Sequence, residues 1–341
     1  MSTAIILLLL VVVFALVFEY TNGFQDAANA IATVVSTKVL SPRQAILYAA
    51  VLNFIGAFAG THVAKTIGAD LVIGVVSQEV ILCALLGAIF VNLLTWFFGI
   101  PISCSHALIG GLLGAAIAHN GFNVVNFDGV VGKVIVPMFA SPLAGFLVGF
   151  AFMLVLLWMF AKASPEKINK KFKFLQVISA GVMAFSHGSN DAQKTMGIIT
   201  LALLTYVSQY PDCFLAPVLP EPGHFAVPVW VIFICALTMA LGTAAGGWKI
   251  IRTLGHKMIK LKPIHGFAAE TTAASTILTC SFFGIPVSTT HIISTAIMGV
   301  GSTIRFSAVK WGIVGKIVVA WFLTIPMSAT FAAVLYKVFV G

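Results

Sequence analysis

The sequence predicts an all-α polytopic membrane protein built from two inverted-topology repeats, with broken helices and two helical hairpins. Three observations predict it. Of 341 residues, 60% are hydrophobic and 9% charged, where a soluble domain carries about 25% charged residues. Two different motifs each occur twice, in the same order along the chain. The loops that follow equivalent motifs carry charge of opposite sign.

Stretches without Asp, Glu, Lys or Arg run from Val80 to Phe127, from Val134 to Ala161 and from Thr271 to Ile304. A membrane-spanning helix needs ~20 apolar residues. In chain order, helices are expected near 2–20, 24–38, 44–60, 80–99, 103–118, 140–162, 174–186, 190–206, 227–247, 266–283, 288–304 and 315–337. Residues 64–76 and 122–137 fit neither helix nor loop cleanly. The first eighteen residues lack a basic start and a small-residue cleavage site, so they read as a retained helix and not a signal peptide. Gly23 and Gly188, among polar neighbours, are expected to break the helices that carry them. Lipid cannot satisfy non-helical backbone, so such breaks must be buried in protein or line a water-filled cavity.

The first motif reads Asn22-Gly-Phe-Gln-Asp-Ala-Ala-Asn29 and, later, His187-Gly-Ser-Asn-Asp-Ala-Gln-Lys194. The second reads Phe98-Gly-Ile-Pro-Ile-Ser-Cys-Ser-His106 and Phe283-Gly-Ile-Pro-Val-Ser-Thr-Thr-His291. The collinear pairs divide the chain into an N-terminal repeat, 1–161, a basic linker, 162–173, and a C-terminal repeat, 174–341. The aspartate motifs occupy 22–30 and 187–195, and the hairpin tips 98–106 and 283–291.

Loop charge orients the repeats. The linker holds Lys162, Lys167, Lys170, Lys171 and Lys173 and is expected to be cytoplasmic. The loop Val207 to Ala226 has no Lys or Arg, holds Asp212 and Glu221, and is expected outside, whereas its counterpart carries Lys38 and Arg43. Segment 62–79 sets Lys65 against Asp70 and Glu79, while 249–262 holds Lys249, Arg252, Lys257, Lys260 and Lys262. Equivalent loops thus face opposite sides, an arrangement of secondary transporters. Basic loops on both sides of 266–304 require that segment to enter and return as a hairpin tipped by Pro286, mirrored by one tipped by Pro101. Both termini come out external. The net charge of +9 is topogenic and not a nucleic-acid signal. Five cysteines form no C-x-x-C pair, and no covalent cofactor is expected.

Pro-x-Ser-x-x-His reads as the start of a helix, since Ser and Thr are good N-caps. The free N–H groups there attract anions, and Ser103, Ser105, Ser288, Thr289 and Thr290 add hydroxyl donors. Asp26, Gln25 and Asn29 offer oxygen ligands to a hard cation, because residues i and i+3 share a helix face. In the second copy Asn190 and Asp191 remain, but Lys194 stands where Asn29 stands in the first. A protonated lysine cannot ligate a cation; it can replace one by pairing with Asp191. His106, His187 and His291 read as hydrogen-bonded structural residues, and Glu270 as either a proton carrier or a helix cap.

With these residues in place, the chain resembles the inorganic phosphate transporter (PiT) family. The resemblance rests on the two aspartate motifs and on Pro286-Val-Ser-Thr-Thr-His291 and Pro101-Ile-Ser-Cys-Ser-His106, and spans nearly the whole chain. It implies import of inorganic phosphate through the cell membrane by Na⁺ or H⁺ symport with alternating access, as free phosphate or a metal–phosphate complex, by a homodimer. By position, Ser103, Ser105, Ser288, Thr289, Thr290, Gln25 and Asn190 are expected to contact phosphate. Asp26, Asn29, Asp191 and Lys194 are expected to serve the coupling cation, with Asp26 and Asp191 as Na⁺ ligands if sodium drives transport. Gln25 and Lys194 depart from asparagines of the family pattern, and the Gln193-Lys194 pair resembles proton-coupled members. Alternatives are a carrier of another tetrahedral oxyanion such as sulfate, or a passive anion channel, which buried aspartates disfavour. Nothing resembles a nucleophile elbow, so an enzyme is not expected.

Overall fold

An apolar segment in lipid must satisfy its backbone internally, which makes helices of the long uncharged runs. The computed structural model describes residues 2–74, 76–211, 213 and 225–341. Among them twelve α-helices follow one another: α1 (Ser2–Ser36), α2 (Pro42–Gly56), α3 (His62–Lys65), α4 (Gln78–Phe98), α5 (Cys104–Asn120), α6 (Phe127–Met159), α7 (Pro165–Gln209), α8 (Val229–Ala245), α9 (Trp248–Arg252), α10 (Pro263–Phe282), α11 (Thr289–Ser302) and α12 (Trp311–Phe339). Both α3 and α9 run on into a π-helical turn, Thr66–Asp70 and Thr253–Lys257. The second six elements thus repeat the order of the first six.

Packing is reciprocal as well. Helix α1 lies on α8 and α7 on α2; α12 lies on α5 and α6 on α11. Both hairpins form, α4 against α5 and α10 against α11. Their turns are copies of each other. Gly99 and Gly284 take the left-handed conformation with φ of 66° and 67°. Ile100 N–H donates to Thr95 O and Ile285 N–H to Cys280 O, closing the same helix C-cap. Beyond each turn Ser103 and Ser288 cap the returning helix, accepting from the N–H of His106 (3.1 Å) and His291 (3.2 Å).

The structure corrects one expectation: α1 and α7 are continuous through Gly23 and Gly188. These glycines serve helix crossings. A Cβ on Gly23 would stand 2.6 Å from the Met239 carbonyl oxygen of α8, and one on Gly188 2.2 Å from the Asn53 carbonyl oxygen of α2. Small residues let helix backbones approach this closely in a membrane. The break lies elsewhere, at Gly246-Gly247, where α8 and the α9 segment meet at 59°. Helix α6 begins at Phe127, capped by Asn126, within the region that the sequence left undecided. The end of the basic linker, 165–173, forms the first turns of α7. Asp212 and Glu221, on which the external reading of their loop rests, lie outside the described residues.

Two apolar cores share the long helices. Helix α1 gives Leu8 to Phe18 to one core and Ala28 to Val34 to the other. Helix α7 gives Phe172 to Ala184 to the second and Ala192 to Val207 to the first. The interval between the cores falls on the aspartate motifs, so the polar residues sit at the junction of two dry layers.

If Gly188 is there for the crossing, Gly188→Ala will destabilise the protein by about 1–3 kcal/mol through overpacking. Gly315→Ala, in α12 with nothing within 4 Å of the added carbon, should be neutral or stabilising by up to ~1 kcal/mol. Thermal unfolding in detergent checks both; equal melting temperatures for the two variants would remove the crossing argument.

Candidate functional site

The site is built where α1 and α7 pass between the cores and both hairpin tips reach them. Asp26, Asp191 and Lys194 are 3%, 1% and 1% exposed, so each charge needs a partner within the protein. On α7, residues 187, 191 and 194 share one face. The Lys194 ammonium donates to an Asp191 oxygen, to Ser105 Oγ of the first tip and to the Val287 carbonyl of the second (3.1 Å). Ser105 Oγ also donates to the Val287 carbonyl at 3.3 Å, tying the tips together.

The second tip supplies hydroxyls to both carboxylates. Thr289 Oγ1 donates to Asp191 Oδ2 at 3.0 Å, and Thr290 Oγ1 to Asp26 Oδ1 at 3.1 Å. Both hydroxyls accept from the Asn29 amide, at 3.2 and 3.0 Å. Residues more than 250 positions apart in sequence therefore meet in one hydrogen-bonded chain. Asn29 Oδ1 is buried without a partner among the described residues.

The His187 ring is oriented by a chain of neighbours. Thr243 Oγ1 donates to the Met239 carbonyl (2.9 Å) and so accepts from Asn53 Nδ2 (3.0 Å). Asn53 Oδ1 then faces His187 Nδ1 at 2.9 Å, which makes Nδ1 the donor. His187 Nε2 lies 3.1 Å from Asp191 Oδ2. Asp26, His187 and Asp191 also each offer a ligand atom within 4.8 Å of the others, a group able to hold a metal ion.

The remaining expected residues are near the tips but turned elsewhere. Ser103 and Ser288 act as helix caps. Gln25 Nε2 reaches Thr95 Oγ1 at 3.4 Å and Asn190 Nδ2 reaches Ser281 Oγ at 2.8 Å, mirror contacts to the ends of α4 and α10. The rings of His106 and His291 meet edge to face, 4.9 Å apart. Glu270 lies outside this cluster, fully buried, accepting from Thr33, Ser179 and Gln176. Sequence reasoning did not single out Asn53, Thr95, Thr243 or Ser281; a lone polar residue in an apolar helix gives no signal of its partner. Glu19, whose carboxylate accepts from Thr195, escaped notice too. A helical stripe of 19, 22, 26, 29 and 33 could have found it.

Three comparisons bear on this geometry. Residues 22–332 match the phosphate transporter family (PHO4). The chain is 45% identical over 339 residues to a protein of Bacillus subtilis (strain 168) named "Probable low-affinity inorganic phosphate transporter", covering 98% of each. It is 46% identical over 324 residues to one of the same name in Rhizobium meliloti (strain 1021), covering 94% of this chain and 93% of that one. Among solved structures, "The sodium-dependent phosphate transporter" superposes with a TM-score of 0.87 at 25% identity, over 97% of this chain and 98% of that one.

Removing one partner of a buried ion pair costs about 3–5 kcal/mol, because the other charge is stranded. Lys194→Met is therefore expected to lower the melting temperature in detergent sharply, and adding Asp191→Asn to recover most of the loss. A double variant no more stable than the single would show that the pair does not organise the site.

Proposed function

This chain belongs to the phosphate transporter family, and from that premise we propose a secondary active symporter that imports inorganic phosphate by alternating access, coupled to H⁺. The observation that carries this is the pair of contacts from adjacent threonines of one tip to aspartates of two different helices. Each hydroxyl has one proton, and here it is donated to a carboxylate. A cation or proton arriving at that carboxylate competes for the oxygen and releases the hydroxyl to donate to an anion. Cation binding thereby creates anion donors, which is the coupling a symporter needs. The N-termini of α5 and α11 add backbone donors at the same place. The amide–hydroxyl–dipole set does not by itself choose among tetrahedral oxyanions; family membership supports phosphate over sulfate.

Lys194 and His187 support H⁺. The Asp191 half already holds an ammonium, which stands in for a mobile cation. His187 Nε2, 3.1 Å from the same carboxylate, would be placed to take up a proton there. The Asp26 half, with the free Asn29 Oδ1, keeps the hard oxygen donors that fit a Na⁺, the ion named for the structural relative. The grouping of Asp26, His187 and Asp191 favours a second reading, in which phosphate travels with a divalent metal as cargo. The proposal includes two inverted repeats, 1–161 and 174–341, supported by the repeated element order and the reciprocal helix pairings. It also takes the linker 162–173 as cytoplasmic, both termini as external, and the active form as a homodimer.

Phosphate uptake into proteoliposomes under imposed gradients tests the reading. Accumulation should follow an inward H⁺ gradient, and Asp26→Asn and Asp191→Asn should each abolish it. Accumulation driven by Na⁺ alone would overturn the H⁺ assignment. Accumulation that needs a divalent cation would select the metal–phosphate reading, and an effect of neither gradient would overturn symport.

A further inference from the structure

Away from the central site, a cavity with convergent charge lies where the C-terminus of α1 meets the N-termini of α7 and α10. Its volume is about 710 Å³. Lys38, Lys173, Lys262 and His265 line it, from three different parts of the chain, with Glu166 as the carboxylate on its wall. Among the described residues, none of these three lysines lies within ion-pairing distance of a carboxylate.

We infer that this cavity is a binding site for a phosphate group, either free phosphate or the headgroup of an anionic phospholipid. Topogenic charge accounts for lysines on this side of the membrane, but Lys162, Lys167, Lys170 and Lys171 satisfy that rule without lining the cavity. Three features go beyond it. His265 is only 7% exposed; its Nδ1 accepts from the Lys262 N–H at 3.1 Å, so in the neutral ring Nε2 carries the proton and has no partner among the described residues. Lys38 has φ of +58°, the one such residue other than glycine among those described. It occupies the helix C-cap position that glycine adopts freely and lysine rarely, with Val39 N–H donating to Val34 O and Lys38 N–H to Val35 O. Finally, α7 starts at the cavity with Pro165 and no side-chain cap from Ser164, leaving N–H groups open to an oxyanion.

Both sources of phosphate fit features of the walls. Leu157 and Leu261 provide apolar surface suited to an acyl chain, and basic pockets between membrane helices take phospholipid headgroups. Thr37, also on the wall, donates to Gln176 (2.9 Å), which donates to Glu270 (3.1 Å), which accepts from Thr33 of α1, one turn from Asn29. That polar chain runs from the cavity toward the central site and ends at Thr33.

The test uses the full chain in vesicles of phosphatidylcholine with and without phosphatidylglycerol, comparing wild type with Lys38→Gln/Lys173→Gln/Lys262→Gln. Native mass spectrometry reads retained phosphatidylglycerol, and uptake slowed by phosphate preloaded in the lumen reads free phosphate. Each lysine replaced is expected to weaken one of these by about fivefold, and the readout that moves identifies the source. The triple Lys→Arg variant should retain the effect. Glu166→Gln should strengthen it, a result that does not depend on the triple variant folding. A Gln variant equal to wild type in both readouts, or Glu166→Gln without effect in either, would overturn the site. Wild-type uptake in the same vesicles reports separately on the transport reading.

Discussion

Two carboxylates held between apolar layers are the constraint on which this structure turns. An uncompensated charge at such depth is too costly to persist, and the protein meets the demand differently at Asp191 and Asp26. Asp191 is served mainly from its own helix: His187 one turn before it and Lys194 one turn after. That arrangement exists only while α7 is helical from 187 to 194, which is why Gly188 cannot mark a break. The glycine is free to serve the crossing with α2, whose Asn53 then fixes the His187 ring. Asp26 has no such neighbour and depends on Thr290, delivered by the opposite hairpin.

The proposed coupling draws on this difference. Thr289 and Thr290 are adjacent, share the Asn29 amide as donor, and donate to different carboxylates. A change of charge at either aspartate therefore reaches the same two hydroxyls. The hydroxyls of the tip and the carboxylates of the long helices form one hydrogen-bonded unit. Lys194 extends that unit to the first tip through Ser105. In the proposed symport, the ammonium does at Asp191 what a mobile cation does at Asp26.

Much of this was legible in the sequence. Duplicated motifs locate the aspartates, the tips and the helical hairpins, because the residues that cap a turn and begin a helix are chemically distinctive. The uncharged runs set most helix positions within a few residues. The helix breaks were misjudged, since glycine between polar residues suits both a break and a close crossing, and only the facing helix decides. The direction of the amides was equally hidden. Gln25 and Asn190 turn to Thr95 and Ser281, partners that stand in featureless apolar stretches. The hydrogen bond expected of His187 is made to Asn53, which stands in such a stretch as well.

The two copies of the aspartate motif differ most sharply where Lys194 stands at the position of Asn29, and in the proposed symport that difference is worth one unit of coupling charge. The direct measurement is the charge moved per phosphate, from current and phosphate flux recorded together in proteoliposomes, for wild type and Lys194→Asn. If the ammonium stands in for a mobile cation, the variant will move one additional positive charge with each phosphate. A charge-to-phosphate ratio identical to that of wild type, in a variant that still transports, would contradict the account.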